Sequence, residues 1–243
     1  MCRGRGHVPL ARAYSLKQQL LHKTSGSEGA HMNKLADDLY QFSIYIPPMD
    51  FTIHQYLLAT QPSILFAAGT AQQAHAIIPQ IREVLGGRDL DYVLVSHMES
   101  DEAGGVFELR RAFPNVKVIC GQLAARELPG WGYDGALVPV QGGQVLQDDG
   151  LDLRIVDYPA EVHDQMGIVA LDQRSGLFYS ADLFLRFGNG VGKTVEASWE
   201  DEVRAIDAQR VPNDALRSQL QESLLELSPR FVAVGHGFCL DCK

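Results

Sequence analysis

The sequence is poor in cysteine, which supplies only four of its 243 residues. Four cysteines in a chain of this length cannot form the dense disulfide framework of a small secreted protein. We therefore expect reduced thiols and a cytoplasmic location. Cys239 and Cys242 form a single C-x-x-C pair, which is too few thiolates for a four-cysteine iron or zinc centre. Two interpretations fit this pair: a frayed, inert tail, and a redox or sensing dithiol.

Long apolar runs and an excess of basic residues are also lacking. No stretch approaches the roughly 18 to 20 apolar residues that cross a bilayer, so we expect no membrane partner. The formal net charge of −9 argues against nucleic acid as a partner. With 46% hydrophobic and 21% charged residues, the chain has the composition of an ordinary soluble globular protein.

Residues 1–31 differ in composition from the rest of the chain. They carry five basic residues and one acid, and they end in a Gly- and Ser-rich stretch of linker composition. The segment lacks the continuous apolar stretch of a secretory signal. A transit peptide, a nucleic-acid-binding arm and an upstream extension all fit it. We expect a disordered N-terminal extension over 1–31 and one folded domain over 32–243.

The most informative motif follows the apolar run 93–96, which is typical of a buried strand. His97, Glu99 and Asp101 alternate where that strand ends, and a glycine pair then leads into a helical pattern. Three potential ligands within five residues favour a metal site. The alternative is a polar loop that caps a helix, with Ser100 or Asp101 as the N-cap.

Three later strand-like segments also end in a potential ligand. His163 follows one of them, Asp182 ends the second, and His236 ends the third. Four separate strand ends that each carry such a side chain are hard to obtain by accident. We therefore predict a metal centre built from six residues: His97, Glu99, Asp101, His163, Asp182 and His236.

In its order and spacing this series resembles the metallo-β-lactamase superfamily, over roughly residues 35–236. Hydrolytic members usually carry H-x-H-x-D-H in the first motif. Glutamate at the second position is similar to the di-iron branch, which comprises the flavodiiron proteins and the stand-alone oxygen-binding di-iron proteins. The resemblance implies two sets of ligands: His97, Glu99 and His163 on one metal, and Asp101 and His236 on the other.

The six residues supply three imidazoles and three carboxylates, which offset most of the charge of two divalent cations. Asp182 is the natural bridge, because a carboxylate can bind two metals at once and a neutral imidazole cannot. Oxygen-rich ligation favours iron or manganese over zinc. We expect two iron ions, with zinc or manganese as the alternative.

Four neighbouring residues have less certain roles. Glu102 stands where many superfamily members have histidine. It binds the second metal, leaves a coordination position open, or is a solvated acid favoured by a helix dipole. His54, on an early strand, either hydrogen-bonds a bound ligand or is an ordinary buried histidine. Ser180 lies two residues before Asp182 on the same side of a strand, and donates either to the site or to backbone. Tyr179 should face the other way, into the core.

Strand and helix patterns alternate through the folded region, in one series over 38–128 and a second over 136–234. The second series opens with one strand pattern over 136–146. Two half-domains of this kind predict an α+β fold in which two mixed β-sheets pack face to face with helices outside. This matches the αββα sandwich that the resemblance implies, with the metal site at the strand ends between the halves.

The predicted function is a stand-alone non-haem di-iron protein that binds O2 or another small diatomic molecule, as a sensor or as an O2/NO oxidoreductase. Flavodiiron proteins take electrons from FMN in an attached flavodoxin-like domain. The chain ends seven residues after His236, so we expect no FMN here and an external electron-donor protein. Family members are often dimers, which makes a homodimer an option. The alternative is a dinuclear zinc hydrolase acting on an ester, lactone or thioester through a metal-activated water.

Overall fold

Two seven-stranded sheets form the framework of the computed structural model, which describes residues 30–148, 150–159 and 166–242. The first sheet contains, in spatial order, β1 (His31–Lys34), β2 (Leu39–Ile46), β3 (Phe51–Leu58), β4 (Ile64–Phe66), β5 (Tyr92–Val95), β6 (Lys117–Gly121) and β7 (Ala136–Val140). The second contains, in chain order, β8 (Val145–Leu146), β9 (Leu153–Pro159), β10 (Met166–Asp172), β11 (Leu177–Ala181), β12 (Thr194–Ala197), β13 (Phe231–Val234) and β14 (Cys239–Cys242).

Both sheets are mixed, as predicted. In the first sheet β1 to β4 pair antiparallel and β4 to β7 pair parallel. The spatial order of the second sheet is β12-β14-β13-β11-β10-β9-β8, and its parallel pairs are β11 with β13 and β12 with β14. The described helices are α1 (Ala71–Val84), α2 (Ser100–Ala103), α3 (Val106–Ala112), α4 (Gln122–Gly130), α5 (Trp199–Arg204) and α6 (Asp214–Leu225).

The alternation of buried side chains along the strands produces the layers. On β3, Leu57 packs into a core shared with the apolar faces of α1, α3 and α4. Its neighbour Tyr56 points the other way, into the core that also contains β9, β10 and β11. The α5 and α6 residues Val203 and Leu224 pack against the second sheet within that same core. The α+β prediction of two sheets between outer helices is therefore confirmed.

The predicted continuous strand over 136–146 is wrong. The chain leaves the first sheet after β7, turns at residues 141–144, and enters the second sheet as β8. Gly143 has φ +82°, a conformation that glycine adopts without steric cost. The N–H of Gly142 donates to the carboxylate of Asp157 on β9 (2.7 Å). This turn carries the chain from one half of the sandwich to the other.

Among the described residues the first strand begins at His31, one residue before the predicted start of the folded domain at 32. β1 starts at His31 and pairs antiparallel with β2, from His31 opposite Ser43 to Lys34 opposite Tyr40. Its sequence is mostly polar and it lies at the sheet edge, so it lacks the apolar alternation that marks a half-buried strand. Residues 1–29 lie outside the described residues, and the predicted extension stays a prediction.

The C-x-x-C pair is not a frayed tail, because the two cysteines lie on β14, hydrogen-bonded between β12 and β13. Cys239 is fully buried and near the hydroxyl of Tyr56 (3.2 Å). Residues three apart on a strand point to opposite faces and lie about 10 Å apart, beyond the roughly 7 Å limit for a disulfide.

Among the described residues, no helix has both the length and the apolar character that are needed to cross a bilayer.

Candidate metal centre

The predicted ligands lie where strands of the two sheets end. In the first sheet β5 ends at Val95, and His97 and Glu99 follow directly, with Asp101 in the first turn of α2. In the second sheet Asp182 follows the last residue of β11, and His236 lies two residues after β13. Because β11 and β13 are parallel neighbours, Asp182 and His236 emerge at the same edge of their sheet.

The carboxylate of Asp182 lies between two imidazoles. Its Oδ1 is 2.9 Å from Nε2 of His236, and its Oδ2 is 4.0 Å from Nε2 of His97. The Oε1 atom of Glu99 is 3.9 Å from the same His97 nitrogen. Ligand atoms of His97, Glu99 and Asp182 all lie within 4.8 Å of one another. Asp182 thus presents one oxygen to each half of the site, as a bridging carboxylate would.

The second half of the site contains Asp101, Asp182 and His236. The Oδ2 atom of Asp101 lies 3.5 Å from Nε2 of His236. Nδ1 of His236 lies 3.0 Å from the backbone oxygen of Thr52, to which it donates in the tautomer that leaves Nε2 free to bind a metal. The ring of Phe51 stacks on His236 at 4.4 Å between centroids. Two neighbours on β3 therefore fix the orientation of this imidazole.

The side chains present fit divalent cations. Asp101, Glu102 and Asp182 are each 3% exposed, and Glu99 is half-buried beside them. Several carboxylates gathered away from water cost free energy unless cations compensate them. Burial alone would lower the pKa of His97, but the carboxylates of Asp182, Glu102, Glu99 and Asp101 together raise it. The site therefore has a negative potential and donor atoms suited to metal ions.

Gly105 lets the ligand-bearing turn pack directly against the chain that follows β4. A Cβ atom at Gly105 would lie 2.3 Å from the backbone oxygen of Ala68. Two backbone hydrogen bonds join the same segments: Ala68 N–H donates to Glu102 O (2.8 Å), and Gly105 N–H donates to Gly69 O (2.7 Å). A larger residue at position 105 would push α2 and its carboxylates away from the site.

One protein-family model matches most of the chain. The model of the metallo-beta-lactamase superfamily matches residues 54–236, which begin on β3 and end at the last predicted ligand. The chain belongs to the metallo-beta-lactamase superfamily.

Relatives and solved structures within this superfamily include flavodiiron-type proteins. A putative diflavin flavoprotein A 2 of Nostoc is 22% identical over 197 residues, covering 76% of this chain and 33% of its own length. The rubredoxin oxygen:oxidoreductase of Desulfovibrio gigas superposes with a TM-score of 0.71 at 18% identity, covering 87% of this chain and 58% of that one. The chain spans about a third of the length of the first curated relatives it matches.

A third relative has a different chemistry in its name. The atrochrysone carboxyl ACP thioesterase of Aspergillus fumigatus is 26% identical over 122 residues, which cover 50% of this chain and 26% of that protein. The superfamily relatives of this chain thus include both redox proteins and a thioesterase.

Five of the six predicted ligands lie in one cluster in the structure. The sixth, His163, lies in the segment 160–165, outside the described residues, and its role stays a prediction. The alternative for the first motif, a polar loop that caps a helix, is observed in part, because Asp101 lies in the first turn of a short helix. Glu99, rather than Ser100 or Asp101, is the N-cap residue of that helix, and its side chain makes no cap hydrogen bond.

Glu102 does not behave as a solvated helix acid, so that alternative is wrong. It is buried, and it accepts hydrogen bonds from the hydroxyl of Tyr179 and from the backbone N–H of Ser96 (3.4 Å). Burial is the main reason why its pKa is raised to about 7. The sequence-based expectation that Tyr179 belongs to the core is right for its ring, which packs on Phe66 at 5.5 Å. The sequence does not predict the contact of its hydroxyl with Glu102.

The prediction that Ser180 and Asp182 lie on the same side of the strand fails, because a β-bulge interrupts the alternation of side chains. Tyr179 and Ala181 pair with consecutive residues of β13, which leaves Ser180 as the extra residue, and Ala181 has φ +46°. The Ser180 hydroxyl is 3.5 Å from the backbone oxygen of Ala233 and donates in that direction. Of the two roles considered for Ser180, the backbone bond is the one observed.

His54 is a buried structural histidine. Its Nδ1 lies 2.7 Å from the Ser43 hydroxyl, and its Nε2 lies 2.7 Å from the backbone oxygen of Gly237. Both ring nitrogens are therefore used within the protein, which is the ordinary role considered for this residue. Burial lowers its pKa to about 3, so the ring is neutral at physiological pH.

Proposed function

We propose that this chain binds two iron ions and, through them, O2 or another small diatomic molecule, either as a sensor or as an O2/NO oxidoreductase with an external electron donor. The observation that carries the proposal is Glu99 beside His97 and Asp182, with ligand atoms within 4.8 Å of one another. A site with as many carboxylates as imidazoles suits iron better than zinc, because hard oxygen donors prefer iron and manganese.

The proposed assignment uses both halves of the site. His97, Glu99 and, by the family pattern, His163 would hold one iron, and Asp101 and His236 would hold the other. Asp182 would bridge them, which its two oxygens facing His97 and His236 support. Bound iron would supply redox electrons and coordination positions for a diatomic ligand.

The protein's own contribution is orientation and exclusion of water. The carbonyl of Thr52 and the ring of Phe51 hold His236 with Nε2 toward the carboxylates. Phe51 is 3% exposed and belongs to a small apolar cluster with Ile46, Ile53 and Leu185. A small apolar molecule such as O2 would meet this cluster beside His236. The resemblance to a rubredoxin oxygen:oxidoreductase and to diflavin flavoproteins supports the redox reading.

The first experiment is metal analysis of protein purified without oxygen from cells supplied with iron and zinc. We expect close to two irons per chain, followed by stoichiometric reaction of the ferrous protein with O2 or NO. Glu99→Ala should lose at least one iron and most of this reactivity, because it removes an oxygen ligand. The matched control is Glu127→Ala, an exposed glutamate on α4. Iron content equal in Glu99→Ala and the control would refute the proposal.

A second candidate is a dinuclear zinc hydrolase acting on an ester, lactone or thioester. Similarity to the Aspergillus fumigatus thioesterase over half of this chain favours it. It predicts two zinc ions per chain under the same growth conditions. It also predicts turnover of model thioesters by the zinc-loaded protein and loss of that turnover after chelation. Zinc-loaded protein that is inactive on all three substrate classes would exclude this candidate.

A further inference from the structure

Glu102 is a buried carboxylate next to the metal centre that the ligand assignment does not use. It is 3% exposed and follows Asp101 directly on α2. Consecutive residues on a helix point about 100° apart, so the two side chains cannot face the same way. Asp101 points toward His236, whereas Glu102 points toward Tyr179 and the backbone of Ser96.

Both oxygens of Glu102 are engaged by donors of the protein. Oε1 accepts from the Tyr179 hydroxyl, and Oε2 accepts from Ser96 N–H (3.4 Å). The Tyr179 ring is fully buried and is held by Phe66 and by the edge of Tyr56, whose centroid is 6.4 Å away. The hydroxyl therefore has a fixed position against Oε1 of Glu102.

We propose that Tyr179 is a positioning residue that holds Glu102 out of the coordination shell of the metal assigned to Asp101, Asp182 and His236. This inference rests on the proposed function. With both Glu102 oxygens held by donors of the protein, that metal would keep a coordination position open for a small anion or diatomic molecule. The bulge at 179–181, together with the fixed Tyr179 ring, directs the hydroxyl to Glu102.

Removing the hydroxyl should convert Glu102 into a ligand. In Tyr179→Phe the ring and its packing remain, but a buried carboxylate loses its strongest hydrogen-bond donor. Metal bound beside it, by the adjoining Asp101 and by His236, would then be an available source of compensating positive charge. A change in a residue that orients metal-site groups typically alters metal affinity about 10- to 100-fold. We expect Tyr179→Phe to tighten binding of this metal about tenfold and to weaken azide binding to it by at least as much.

The test uses protein loaded with Co(II), whose visible absorption reports coordination number, and azide as the probe of the open position. Wild type, Tyr179→Phe and Tyr56→Phe are titrated with Co(II) and then with azide. Tyr56→Phe is the matched control, because its hydroxyl is also buried but donates to the backbone oxygen of Val234 (2.7 Å). The double variant Tyr179→Phe/Glu102→Gln isolates the carboxylate, since an amide is a poor metal ligand.

The inference is supported if Tyr179→Phe alone loses azide affinity and gains a higher coordination number, and if the double variant regains wild-type azide affinity. Unchanged azide affinity in Tyr179→Phe overturns it, as does a loss that Glu102→Gln does not reverse. A wild-type protein that binds fewer than two Co(II) ions overturns the proposed two-metal function instead. The two failures are therefore distinguishable from one set of titrations.

Discussion

The two ligand-bearing segments of the centre are held in place by different means. The segment 96–101 is stabilised mainly by its own turn, in which Ala103 N–H donates to Glu99 O (2.8 Å) and Gly104 N–H to Ser100 O (3.1 Å). One backbone bond reaches it from the second sheet, from Ile168 N–H to Ser96 O (2.9 Å). Its geometry is therefore largely a property of local sequence.

The segment 235–237 depends instead on the opposite sheet. Three hydrogen bonds join it to β3: His54 N–H to Gly235 O (2.9 Å), the His54 ring to Gly237 O, and the His236 ring to Thr52 O. The orientation of His236 is thus set by residues some 180 positions earlier in the chain. The positions of the ligands in segment 96–101 are thus encoded locally. The position of His236 is fixed only once both sheets have packed.

The largest effect should come from breaking the residue that joins the two halves. Asp182→Ala removes oxygens that face both His97 and His236, so we expect both metals to be lost. His236→Ala should cost only the metal shared with Asp101, because the group of His97, Glu99 and Asp182 remains. Elemental analysis of metal per chain distinguishes the two outcomes. Loss of a single metal from Asp182→Ala would show that Asp182 belongs to one half alone.

The same contrast explains how much the sequence reveals. His97, Glu99 and Asp101 could be assigned as neighbours because their spacing brings them together without knowledge of the fold. The two-sheet architecture followed from strand and helix periodicity. The Tyr179 contact did not, since a bulge that reverses strand parity leaves no mark in the sequence Tyr-Ser-Ala-Asp. The edge strand β1 is not predicted because its few residues show no apolar alternation. The short β8 is not separated from β7 within the single strand predicted over 136–146.

A smaller effect should follow from loosening His236 without removing it. Phe51→Leu keeps an apolar side chain but removes the ring stacked on His236 at 4.4 Å. We expect affinity for the metal held by Asp101 and His236 to fall about tenfold, with a stability loss of about 1 kcal/mol. Phe42→Leu, a fully buried change on the helix side of the first sheet, is the control. It should lower stability while metal affinity stays the same, and equal affinity losses in both would argue against the stacking role.

The smallest effect is on the pH dependence of the unfolding free energy of metal-free protein. It acts through His54, which joins β3 to the segment 235–237. Burial lowers the pKa of His54 to about 3, whereas in the unfolded chain it is about 6.5. Below pH 6.5 the unfolded state binds a proton that the folded state does not. The contribution of neutral His54 to the free energy of unfolding is therefore complete above pH 6.5. It is lost progressively as the pH falls toward 3.

Lowering the pH from 7.5 to 5.5 should reduce the unfolding free energy of the wild type by roughly 1.4 kcal/mol through His54. His54→Gln can still hydrogen-bond the Ser43 hydroxyl or the Gly237 carbonyl, but it cannot titrate, so its loss over the same interval should be smaller by about that amount. Urea unfolding of both proteins at the two pH values measures the difference, in which the other titrating groups cancel. Parallel pH dependence in the two proteins would mean that His54 takes up a proton as readily in the folded state as in the unfolded state, and would contradict its neutral, buried form.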